Sequence, residues 1–266
     1  MSALFDAIHL SAAYATVNPT GKAPVLLVCE HASNRVPTAY SRLGLDDGVL
    51  DTHVAVDIGA GMLTRRLAQL IDAPAVLCRY SRLFVDCNRA LGDPSCICES
   101  SDGLSIPGNF ELAEGELAYR AALVHHPFHR AVEQVLDGWR TGRVAHHLVA
   151  IHSFTPALAR GPVRPWHVGV VWRDPTLALP LLKQLRALPD LVVGDNEPYD
   201  GRQTCGYTIA RHAEPFGIPA LAVEVRQDQL SSAAGIESCA RMVAECLESA
   251  ISSAGAGMPR DAGIVY

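Results

Sequence analysis

Two histidines and a glutamate end or interrupt apolar runs, and they set the chemistry open to this chain. Val28-Cys29-Glu30-His31-Ala32-Ser33-Asn34 continues an apolar run that starts at Pro24. His152 closes Val149-Ala150-Ile151-His152-Ser153, and Glu224 lies within Leu221-Ala222-Val223-Glu224-Val225. Proteins of alternating strands and helices place reactive groups at the carboxyl ends of their strands. Catalytic zinc sites commonly take two imidazoles and one carboxylate and leave a fourth position for water. His31 and His152 are the candidate imidazole ligands. Asp57, at the entry to an expected helix, is the preferred carboxylate. Glu30 directly precedes His31, and alternation along a strand turns it away from the metal unless the chain bends there. His53, one helical turn before Asp57, is the reserve ligand.

Glu224 interrupts the apolar run Pro219–Val225. A buried carboxylate is costly unless it is paired or working. Pairing with Arg226 would make it structural. As a general base it would carry a proton from an attacking water to a leaving nitrogen. In Ser81 to Arg89, the arginines Arg82 and Arg89, with Asn88 beside them, are candidates to grip a substrate carboxylate, since guanidinium forks match carboxylates. An internal pair of Arg82 with Asp86 is the alternative. Asn196 and Tyr199, with Arg202, sit in the turn-rich stretch after Gly194 and are candidates to close over a ligand. Among His125, His126 and His129, the last is the candidate auxiliary proton donor or substrate contact.

These residues need elements to hold them. Apolar runs predict strands at Pro24–Cys29, Ala75–Arg79, Leu83–Asp86, His147–Ile151, His167–Trp172, Leu191–Val193 and Ala220–Val225. Helical spacing predicts helices over Asp51 to Ile71, Phe110 to Arg140 with Pro127 starting or kinking its second half, Thr176–Leu188 and Ser231 to Ala250. Leu91 to Asn109 is a long loop of binding-loop length. Residues 1–22 are expected as an irregular arm and 255–266 as a loose tail. The alternation predicts one α/β domain over 1–266, three layers deep, with a mostly parallel central sheet flanked by helices.

With 266 residues the chain can bury a large core without a metal or disulfides. A net charge of −6 and dispersed basic residues argue against nucleic-acid binding. Met1 to Thr20 carries Asp6 and His9 where a signal peptide is apolar, and no apolar stretch is long enough to span a membrane. A cytoplasmic location is expected. The eight cysteines contain no C-x-x-C pair, so reduced core thiols are expected.

The chain resembles the N-formylglutamate amidohydrolase family, in its less characterised branch. The resemblance is carried by Cys29 to Pro37, Asp51 to Ala60, Ser81 to Arg89, His126-Pro127-Phe128-His129, Ile151-His152-Ser153-Phe154, Gly194 to Gly201, and Val223 to Asp228. It implies a zinc-exopeptidase-like fold, a zinc cofactor and hydrolysis of the N-acyl amide of a small acidic amino acid. N-formyl-L-glutamate, cleaved to formate and L-glutamate, is the first candidate. It also supports His31, Asp57, His152 and Glu224 as the site. The rivals are another N-acyl or peptidoglycan-type amidase, a non-catalytic binding protein on the same scaffold, and a cysteine hydrolase built on Cys29.

Overall fold

The computed structural model describes residues 12–142, 146–203 and 206–256. Its frame is a seven-stranded sheet. In chain order the strands of this sheet are β1 (Tyr14–Val17), β2 (Val25–Cys29), β3 (Ala75–Cys78), β6 (His147–Phe154), β7 (Val168–Trp172), β8 (Val193–Asp195) and β9 (Ala220–Arg226). Their spatial order is β1-β3-β2-β6-β9-β7-β8. The four central strands β3, β2, β6 and β9 run parallel, β1 is antiparallel to β3, and the parallel pair β7–β8 runs antiparallel to β9. The sheet is mixed and mostly parallel, as expected.

Its central strands are buried on both faces, which is why they read as unbroken apolar runs. Along β2, Val25, Leu27 and Cys29 face one layer, while Leu26 and Val28 face the other. The first layer contains α1 (Ala60–Leu70), α4 (Pro175–Arg186) and α6 (Ala233–Ala256). The second contains α3 (His126–Gly142) and α5 (Tyr207–His212). These are the three layers. Ahead of α3 run α2 (Glu116–Arg120) and a π-helical turn, Ala121–His125. The widened turn lies where the ring of Pro127 would press on the carbonyl one turn back.

Several expectations need correction. The stretch from Asp51 is not helical until Ala60. Val49–Asp51 is a short 3-10 turn, and turns follow it to Gly59, whose φ of 79° is left-handed. His53 and Asp57 therefore share no helix face. Part of the expected N-terminal arm is strand β1, paired with β3. The arm's first residues and the tail beyond Ala256 lie outside the described residues.

Leu83–Asp86 forms no strand, because its backbone groups bond elsewhere. The Leu83 carbonyl accepts from Asn109 Nδ2, the Phe84 carbonyl from buried Arg120, and Asp86 N–H donates to the Cys96 carbonyl. Those bonds satisfy the segment as fully as a strand partner would. The long loop holds its own small hairpin, β4 (Ser100–Ser101) with β5 (Leu104–Ser105).

Candidate active site

The pairing of β2 with β6 ends at Val28, and that with β3 ends at Cys29. Glu30 and His31 then form a turn. Freed from strand alternation, both side chains enter the same buried site, which corrects the expectation that Glu30 points away. Asp57 reaches it because its N–H donates to the His31 carbonyl at 3.1 Å. Helix α1 packs close behind. A Cβ on Gly61 would lie 2.8 Å from the carbonyl oxygen of Ala32, so only glycine permits that approach.

His152 lies on β6 directly opposite Glu224 on β9. His31, Asp57 and His152 converge, with one potential ligand atom from each within 4.8 Å of the others. Nδ1 of His31 lies 3.3 Å and Nδ1 of His152 2.7 Å from the same Asp57 oxygen, Oδ2. Nε2 of each ring faces a further carboxylate. His31 Nε2 is 2.8 Å from Asp86 Oδ1, and His152 Nε2 is 3.3 Å from Glu30 Oε2. Arg82 reaches Asp86 Oδ2 at 3.1 Å and Asp57 Oδ1 at 3.5 Å.

All four carboxylates are buried, and their electrostatics follow. Burial works against the charged form of Asp57, but His31 and His152 overcome it and hold the carboxyl well below the usual range. Asp86 is held down likewise, against burial, by His31 and Arg82. Burial would lower the pKa of His152, yet Glu30 and Asp57 carry it up to about 10. His31 moves upward too, as Asp86 and Asp57 outweigh burial and Arg82. Glu224 goes the other way for an acid. Burial first, with Asp57 adding to it, raises its pKa to about 7 against the pull of His152. Its Oε2 has no hydrogen-bond partner in the protein, and Arg226 pairs with Asp228 instead.

A cavity of about 160 Å³ opens beside the cluster. Its wall includes His31, Asp57, His152, Glu224, Arg82, Asn88, Arg89 and Tyr199. Asn88 is held by the start of α5, whose Thr208 N–H donates to its Oδ1 at 3.2 Å.

Asn196, His129, His53 and Arg202 lie off this wall. Asn196 is buried in its own loop, where Oδ1 accepts from the N–H groups of Trp172 and Gly201. It shapes the loop that carries Tyr199. His129 lies a layer behind, donating from Nε2 to the Cys87 carbonyl and stacked on His212. Burial and the neighbouring His125 and His212 push its pKa down to about 2, so it is neutral and away from the cavity. His53 pairs with Asp102 at 3.0 Å, outside the cluster.

Sequence reasoning gave Asp86 only as a partner for Arg82 and missed its bond to His31. The spacing Arg82-x-x-x-Asp86 was the available signal. It also missed Ala150, Val171, Ile209 and Ala222, which share the cavity wall with Ser153 and Gly206.

The N-formylglutamate amidohydrolase family model matches residues 23–231, which takes in every residue of this site. The chain belongs to that family. Among solved structures, this family member is similar to a gene product of Agrobacterium tumefaciens, at 34% identity and a TM-score of 0.87, covering 91% of this chain and 96% of that one. It shares its fold with an N-formylglutamate amidohydrolase from Ralstonia eutropha JMP134, at 18% identity and a TM-score of 0.64, covering 92% of this chain and 100% of that one. No curated protein matches it by sequence.

Proposed function

We propose that the protein is a zinc-dependent amidohydrolase that cleaves the N-acyl amide of a small amino acid bearing a free carboxylate. N-formyl-L-glutamate, the substrate for which the family is described, is the first to assay. One observation carries the reading: two imidazole Nδ1 atoms and a carboxylate oxygen meet beside a cavity, with Glu224 on the adjoining strand.

The donor set fits a divalent ion. Ligand atoms about 2.1 Å from a tetrahedral zinc stand about 3.4 Å apart; His31 Nδ1 is 3.3 Å from Asp57 Oδ2, and His152 Nδ1, hydrogen-bonded to the same oxygen at 2.7 Å, would move back as the ion replaces its proton. Ligating histidines almost always give their other N–H to a carboxylate or carbonyl. Asp86 and Glu30 stand in those places for His31 and His152. Both Glu30 oxygens are otherwise buried without a well-formed hydrogen bond.

His31, Asp57 and His152 would hold the ion. Bound there, it would polarise the amide carbonyl and lower the pKa of water to about 7. The protein's own groups do the rest. Glu224, with a pKa near that of the working solution, takes the proton of the attacking water and delivers it to the leaving nitrogen. Arg82, fixed by two carboxylates, presents positive charge where the carbonyl oxygen becomes negative. Asn88 and Arg89 hold the substrate carboxylate, and half-exposed Tyr199 covers the mouth. Water and the N-acyl amino acid go to the free acid, formate in the formyl case, and the amino acid.

The setting we propose is cytoplasmic, where the buried free thiols of Cys29, Cys78, Cys87, Cys96, Cys239 and Cys246 stay reduced. No helix among the described residues is long and apolar enough to cross a membrane. The test is formate release from N-formyl amino acids by zinc-loaded protein, abolished by a chelator and restored by zinc. Pure protein that binds no divalent metal refutes the proposal.

A further inference from the structure

Resting on the amidohydrolase reading, we infer that the cavity selects amino acids with a small, uncharged, apolar side chain over acidic ones. The floor of the cavity is apolar. On the site face of the sheet, His152 and Glu224 form one cross-strand pair. Two residues deeper, Ala150 pairs with Ala222, and Ala222 pairs with Val171 on the far side. Side chains two apart on a strand share a face, so this row of small apolar residues lies directly below the catalytic pair. Ile209 of α5 closes the recess.

Placing the substrate's α-carboxylate on Asn88 and Arg89 puts the recess on the amino-acid side of the scissile bond. Ile209 follows Thr208, whose N–H holds the Asn88 side chain. The apolar wall and the proposed carboxylate grip are therefore built on the same short helix. A substrate whose α-carboxylate meets Asn88 and Arg89 directs its side chain toward Ile209, Ala222, Ala150 and Val171.

Charge decides which side chain suits. Among the described residues lining the cavity, Arg82 and Arg89 are the cations apart from His31 and His152, which the reading assigns to the metal. Arg82 already lies between Asp57 and Asp86. Arg89 donates to Ser95 Oγ and the Asn88 carbonyl and retains capacity for one carboxylate. An acidic amino acid brings two. Its second carboxylate would enter a recess of Ala, Val and Ile beside Glu224, with no countercharge, and a buried unpaired charge is heavily penalised. An alkyl side chain is favoured there by its own burial. The cavity of about 160 Å³ has to take the acyl amide and the α-carboxylate as well, so it favours a small side chain over an indole.

The test is a panel of N-formyl-L-amino acids (alanine, valine, leucine, glutamate, arginine, tryptophan) given to the zinc-loaded full chain, with formate as the readout. The expected result is kcat/KM for the valine or leucine substrate about 100-fold above that for glutamate. Binding of the free products supplies a second readout, in which L-leucine binds more tightly than L-glutamate by calorimetry. Ala222→Val narrows the recess and should move the preference from leucine toward alanine. Val171→Ala widens it and should improve the bulkier substrates. Glutamate equal to or better than leucine overturns the inference and leaves the amidohydrolase reading standing. An unchanged ranking in both variants, with the alanine substrate still turned over, also overturns it. No hydrolysis of any panel member by zinc-loaded protein removes the amidohydrolase reading itself.

Discussion

Replacing Glu224 with glutamine should cripple the enzyme and, in neutral solution, make the metal-free protein more stable. The two effects have one cause. Glu224 faces an apolar cavity floor and has an unpartnered oxygen, so burial raises its pKa from 4.5 to about 7. The unfolded chain holds this proton with the ordinary affinity, near pH 4.5. Between pH 4.5 and 7 the folded protein binds more protons than the unfolded one, and stability falls as pH rises through that window. At 1.36 kcal/mol per pH unit the full separation is about 3 kcal/mol. It is an upper figure, because His152 and Asp57 respond to the same charge.

Glutamine cannot ionise, so Glu224→Gln escapes this cost above pH 7 and gains nothing at pH 4.5. The assay is denaturant unfolding of both proteins without metal at pH 4.5 and pH 8. The stability gain of the variant should grow by about 2 to 3 kcal/mol between the two. With zinc, removal of the general base should lower kcat by about 10² to 10⁴, or about 3 to 5 kcal/mol of barrier, while zinc remains bound. A gain that does not change with pH refutes the burial argument. A variant with undiminished turnover refutes the catalytic one and favours a binding protein on this scaffold.

Glu30→Gln and Asp86→Asn should each weaken zinc binding by about 10- to 100-fold in competition with a chelating dye, because each removes the carboxylate that orients a ligand imidazole. Zinc binding at pH 7 should release at least one proton, read from the buffer dependence of the calorimetric heat, because the metal must displace the proton that Glu30 and Asp57 hold on His152, with the upward shift of His31 adding to the release. His129→Phe should cost about 1 to 3 kcal/mol of stability through the orphaned Cys87 carbonyl and leave the pH profile of kcat/KM unmoved. A shifted profile would return His129 to proton transfer.

The parts of the molecule legible in the sequence were those fixed by period. β2, β6 and β9 are buried on both faces and announced themselves as apolar runs, and polar residues at their carboxyl ends stood out against them. The misread parts are those where tertiary bonds replace local pattern. Leu83–Asp86 has a strand's composition, but Arg120 and Asn109 take its carbonyls from well outside any local window. The turns before Ala60 carry apolar residues at helical spacing, yet Asp57 is tied to the His31 backbone, and that tie halts the helix short of it. Glu30 was misplaced by one assumption, that the strand continues through His31. The strand stops at Cys29, and a two-residue turn lets Glu30 and His31 both face the site.

Charge balance explains why so many acids surround two histidines. Glu30, Asp57, Asp86 and Glu224 would bring four negative charges into a region from which water is largely excluded, against the single guanidinium of Arg82 at its centre. Without metal, the balance is restored by protons. His152 is held in the charged form, His31 is shifted toward it, and Glu224 keeps its own proton up to about pH 7. A divalent ion would take over the positive charge that protons supply, so the carboxylate frame can remain in place through the exchange. That frame holds Nδ1 of each imidazole toward Asp57 in either state, and the metal geometry is preorganised by the carboxylates that stabilise the protonated site. Glu224 is the one acid outside these imidazole pairs, which on the proposed reading leaves it free to exchange a proton with substrate.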